Sequence, residues 1–136
     1  MNLIVCLDDK KGMLFANRRQ SRDEEVCKKI LQLSAGHILR MNNYSAKLFV
    51  DLDNMICVDE DFLEKSADGD FCFVEDGDVL GCWGKVERVI VFCWNRHYPS
   101  DKKFPVDLLE DGFALTETFD FSGKSHEKIT MEVYSR

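Results

Sequence analysis

Three short runs in this chain are apolar from end to end: LIVCL at 3–7, FCFV at 71–74 and VIVFCW at 89–94. A strand with one face in water alternates apolar and polar residues, whereas an unbroken run needs cover on both faces. Each run is far below the roughly 20 residues that span a bilayer. Together they demand a sheet enclosed between layers of other elements, which points to an α/β architecture.

The rest of the chain supplies those layers. In NRRQSRDEEVCKKILQL, Val26, Ile30 and Leu33 recur at helical spacing, flanked by Cys27 and Leu31. Ser21 and Glu24 have capping-box spacing. Asp23, Glu24 and Glu25 precede Lys28 and Lys29, the order a helix dipole favours. The pattern predicts a helix over 22–34, ended by Gly36. HILRM at 37–41 reads as a second strand and NNYSAKLF as a short helix capped by Asn42 or Asn43. Residues 55–58 read as a very short strand, and DEDFLEKS as a small helix capped by Asp59. After Pro105 the pattern changes: 113–119 and 128–134 are extended, and Ile129, Met131 and Val133 alternate with polar neighbours. An antiparallel pair closing a mixed sheet is expected.

Composition narrows the function classes. Eighteen basic against 25 acidic residues leave a formal net charge of −7, which disfavours nucleic acid and anionic membrane as partners. MNLIVCLDDKK is apolar for only a few residues before two aspartates, so it reads as a strand rather than a secretory leader. A cytoplasmic location is expected. None of the six cysteines forms a Cys-x-x-Cys pair. Reduced core thiols and no metal site are expected. His37, at the start of a strand, and His126, in the polar SGKSHEK turn, read as structural or exposed.

The order of these segments resembles dihydrofolate reductase. LIVCLDDKKGM looks like that family's first strand and the beginning of its active-site loop. VDEDFLEKSADGDFCFVEDGDV resembles its small helix, strand and phosphate-binding turn. KVERVIVF parallels its next strand, and SDKKFPVDLLEDGFALTETF with KITMEVYSR resembles its C-terminal hairpin. The resemblance implies one domain over 1–136: a three-layer α/β sandwich with a mixed, mostly parallel sheet and a C-terminal antiparallel hairpin. It also implies a shortfall around 50–57, on the adenine side of the family's cofactor site. The chain is similar, too, to a group of small proteins sometimes labelled ribonuclease Z. That activity needs a His-x-His-x-Asp-His motif holding two metals, and the chain has no such motif.

The family's job is hydride transfer from NADPH to a folate, assisted by an acid on the first helix. The position matching that acid is Val26, which carries no proton. The family's Leu-Pro-Trp before the helix becomes Arg19-Gln20-Ser21, and its Gly-Arg pair after the second strand becomes Asn42-Asn43; Ser45 keeps a hydroxyl. The family's paired glycines, which let backbone N–H groups approach pyrophosphate, become Glu75 and Asp76. They add bulk and negative charge beside any incoming diphosphate. Arg18, Arg19 and Arg22 read either as an anion receiver or as a solvated loop. Trp94, Arg96, His97 and Tyr98 follow a buried strand, where α/β ligand contacts collect; they could stack a planar ring or bind a carboxylate.

The function expected from these departures is a binding module for a small molecule or a protein. Its candidate crevice comprises Met41, Asn42, Asn43, Ser45, Glu75, Asp76, Trp94, Arg96, His97 and Tyr98, with no catalytic residue, cofactor or metal assigned. The alternative is a divergent NAD(P)H-dependent reductase with a different substrate.

Overall fold

A computed structural model describes residues 1–49 and 55–136. The three apolar runs become adjacent central strands. β1 (Asn2–Leu7) is followed by β2 (Gly12–Phe15), β3 (Arg18–Arg19), helix α1 (Glu24–Leu33), β4 (Leu39–Met41) and helix α2 (Asn43–Ala46). Next come β5 (Ile56–Val58), helix α3 (Phe62–Lys65), β6 (Phe71–Phe73), a 3₁₀ turn (Leu80–Lys85) and β7 (Arg88–Cys93). β8 (Lys102–Lys103), β9 (Ala114–Phe121) and β10 (Ile129–Ser135) complete the described elements.

The main sheet has the order β5-β4-β6-β1-β7-β10-β9. β5 through β7 run parallel, and β10 pairs antiparallel with both β7 and β9. This is the mixed, mostly parallel sheet with a terminal hairpin that the sequence predicts. Alternation along β1 sends Leu3, Val5 and Leu7 to one core and Ile4 to the other. The first core is covered by Phe62 and Leu63 of α3, by Cys82 of the 3₁₀ turn, and by Phe104 and Leu108. The second is covered by Val26 and Ile30 of α1. Both faces of the central strands are therefore dry, which is why their sequences need no polar register.

Three local expectations change. The helix cap is Asp23, which accepts from the Glu25 N–H at 2.9 Å, and not Ser21. Asp59 accepts from the Asp61 N–H and pairs with Lys65, but α3 itself begins at Phe62. A second sheet, β3-β2-β8, forms where only a turn and loop are expected. Its tight hairpin pairs Phe15 with Arg18 around Ala16 and Asn17, whose φ angles of 52° and 61° are those of a two-residue turn matched to strand twist. Asn42 caps α2 as expected, accepting from the Ser45 N–H. Of the segment 50–57 where the resemblance implies a shortfall, 50–54 lie outside the described residues. Among the described residues no helix is long and apolar enough to cross a membrane.

Candidate functional site

The carboxyl ends of β1, β6 and β7 mark the place where an α/β sheet ordinarily holds its ligand. On the side of Arg19, Ser45 and Glu75 that place is filled by the chain itself. Glu75 follows β6 and is only 9% exposed. A lone carboxylate there would be costly, and it is not alone. Arg19 of β3 grips it with two bonds, Nε to Oε2 at 2.7 Å and an amino group to Oε1 at 3.0 Å. The Ser45 hydroxyl donates to the same Oε1 at 2.8 Å. Arg19 also donates to the Tyr44 carbonyl at 3.2 Å and lies 4.1 Å above the Tyr44 ring. Arg19, Glu75, Ser45 and Tyr44 thus tie β3, the end of β6 and α2 into one closed knot.

This alters the electrostatics expected at the turn. Glu75 is already neutralised by a bidentate guanidinium, the strongest pairing a carboxylate makes. Asp76 is exposed and pairs with Lys102. What an incoming pyrophosphate would meet is an occupied knot more than a bare negative field. Its cation, Arg19, lies 56 residues from Glu75 in sequence.

A second plug sits beside the first. Trp94, 3% exposed, stacks on the ring of His126 with centroids 4.7 Å apart and planes 22° from parallel. The planar ring that Trp94 stacks is the protein's own. His126 Nδ1 lies 2.9 Å from Asp23 Oδ2, and Nε2 lies 3.0 Å from the Ser21 hydroxyl and 3.1 Å from the Tyr98 hydroxyl. Burial alone would raise the Asp23 carboxyl's pKa. The backbone N–H of Lys124, the His126 ring and the N–H groups of Ser125 and Glu25 outweigh it and hold the group far below its ordinary range. The loop comes so close that a Cβ on Gly123 would stand 2.5 Å from Asp23 Oδ2.

Ser21, His126 and Asp23 have the spacing of a nucleophile, a base and its orienting acid. Two features argue against that chemistry. The Tyr98 hydroxyl shares Nε2 with Ser21, and the space beside Ser21 is nearly closed. That remnant, bounded by Cys6, Arg19, Gln20, Ser21, Glu75 and Trp94, among others, measures about 10 Å³, at or below the volume one water needs. No reacting carbonyl fits. The set works as a clamp joining the start of α1 to the β9–β10 loop.

The other singled-out residues divide clearly. Met41 is fully buried in the second core, and Asn42 is used as a cap. Asn43, Arg96 and His97 are exposed at the surface. Asp8, after β1, accepts N–H bonds from Gly12, Lys10 and Tyr98 and one from Gln20, fixing the Trp94–Tyr98 loop against the β1 turn. Sequence reasoning missed Arg19, Asp23 and His126 as partners within this site. Their residue types were visible, but contacts across 56 and 103 residues leave no local pattern. Among the described residues no group of side chains could hold a metal ion.

No family model matches the chain, and no curated protein matches it. Among solved structures, the dihydrofolate reductase from Enterococcus faecalis, complexed with NADP(H) and RAB-propyl, superposes with a TM-score of 0.68. The match covers 99% of this chain and 95% of that one at 9% sequence identity. Identity that low carries no site across, but a superposition over nearly the whole of both chains shows the architecture: the chain has a dihydrofolate reductase-like fold.

Proposed function

We propose that this protein is a noncatalytic binding module built on the reductase fold, without folate reductase activity. The observation that carries the noncatalytic reading is the crevice of about 10 Å³ left between Arg19, Glu75 and Trp94, where a small-molecule site needs roughly 300 Å³ or more. The residues do not suit the cofactor that the fold's known reductase holds. Glu75 stands in the turn where backbone N–H groups would need to approach a pyrophosphate, and the nearest guanidinium is held by Glu75 itself. Val26, 3% exposed, carries no proton at the position where the resemblance places an acid. Fold likeness alone does not transfer activity.

Purified protein incubated with NADPH and dihydrofolate should show no NADPH oxidation above the protein-free rate. Saturable turnover that falls when Glu75 or Trp94 is substituted would establish the divergent reductase instead.

A further inference from the structure

On the opposite face of the sheet from α1 lies a cavity of about 380 Å³, within the size range of small-molecule sites. Its apolar walls include Leu7, Val91, Phe104 and Leu108. One residue among them is out of character. Glu132 stands in the middle of β10, directly opposite Val91 of β7, on the strand face shared with Tyr134. Glu132 is half-buried, its carboxylate facing the cavity among apolar walls.

Glu132 has hydrogen-bond donors but no cation. Its Oε1 accepts from the Cys93 thiol and from the Tyr134 hydroxyl, each at 3.2 Å. Among the described residues no lysine or arginine forms an ion pair with it. Lys11, the single basic side chain lining the cavity, lies 3.9 Å from Asp107 at the rim. Burial and then Glu132 push the Cys93 thiol up to about 12, and burial with the Glu132 charge takes the Tyr134 phenol to about 12. Both neighbours feel the Glu132 carboxylate at hydrogen-bond distance. The lining holds four carboxylates, Asp8, Asp9, Asp107 and Glu132, against Lys11, so an entering cation meets a favourable field.

We propose that this cavity is a binding site for a small organic amine with an apolar body, its ammonium seated on Glu132. The apolar walls take the hydrocarbon, and the ammonium supplies the missing counter-charge and donors for the carboxylate. A metal ion is disfavoured because the carboxylates are dispersed around the cavity and form no ligand cluster among the described residues. The proposal rests on the protein being a binding module, but places the ligand away from the closed crevice.

Calorimetry with phenethylamine against 2-phenylethanol, its uncharged counterpart, tests this directly. The amine should bind one per chain with a Kd of about 1 mM or tighter, and the alcohol at least about tenfold more weakly. Glu132→Gln, which keeps the shape and the Oε1 acceptor, should weaken the amine by about tenfold or more while leaving the alcohol unchanged. The comparison of amine with alcohol uses the unsubstituted protein, so the proposal stays testable if the variant does not fold. Equal binding of amine and alcohol, no amine saturation by about 10 mM, or an unchanged amine affinity in folded Glu132→Gln would overturn it. None of those outcomes bears on the folate assay, which tests the closed crevice separately.

Discussion

Arg19 and Glu75 show how one residue pair can close a site. Their side chains are 18% and 8% exposed, so removing one partner leaves the other charge buried and unmatched. Arg19→Met should cost about 3–5 kcal/mol in urea unfolding, and adding Glu75→Leu should recover most of it, as matched apolar replacements of buried pairs do. A loss below about 1 kcal/mol for Arg19→Met would show that the pair is solvated and the knot loose. Asp23 gives the second test at this scale. Its folded pKa is depressed from an ordinary 3.8, so it contributes stability that is present above that value and is lost as pH falls below it. Asp23→Asn should therefore lower stability at pH 7 and flatten the acid limb of the stability profile. Parallel acid limbs for the two proteins would assign the acid sensitivity elsewhere. Asn still caps a helix, which keeps the comparison clean.

At the scale of elements, the turn after β6 is shut because β3 and α2 converge on it. Glu75→Gly with Asp76→Gly would free Arg19 and the Ser45 hydroxyl and give the turn bare backbone. The double variant should bind inorganic pyrophosphate with a Kd of about 1 mM where the parent does not, and Arg19→Ala on top should abolish the gain. No gain, read by calorimetry at low salt, would mean that the Trp94–His126 stack closes the crevice unaided. The central strands were legible in the sequence because their runs are unbroken by polar residues. The β3-β2-β8 sheet was not: its strands are two to four residues long, and its hairpin uses Ala16 at positive φ, where glycine or asparagine would have signalled the turn. The helix cap was misplaced by two residues because Ser21, Asp23 and Glu24 satisfy competing cap patterns, and only tertiary contacts with Lys124, Ser125 and His126 separate them. His126 sits in a polar stretch that leaves structural and exposed readings both open, and tertiary stacking on Trp94 buries it.

Among the described residues, the layers on the two faces of the main sheet fill the crevice beside Glu75 and leave the Glu132 cavity open on the other face. The thiols report on that packing without any variant. Cys57 on β5 is exposed, Cys72 and Cys82 are buried, and Cys6, Cys27 and Cys93 are partly covered. Burial raises the pKa values of Cys27, Cys72 and Cys93 to about 11, 11 and 12, which keeps them as unreactive thiols at neutral pH. A thiol reagent at pH 7 should label Cys57 quickly in the native protein and all six cysteines only after denaturation. Rapid native labelling of Cys72 or Cys82 would contradict a closed core.

The closed crevice itself is tested most directly by titrating NADPH into the unsubstituted protein in a calorimeter at low salt. With Arg19 locked on Glu75 and His126 stacked on Trp94, no saturable heat is expected up to about 1 mM cofactor. Binding of one NADPH per chain at micromolar affinity would contradict the account, because it requires the crevice to be open.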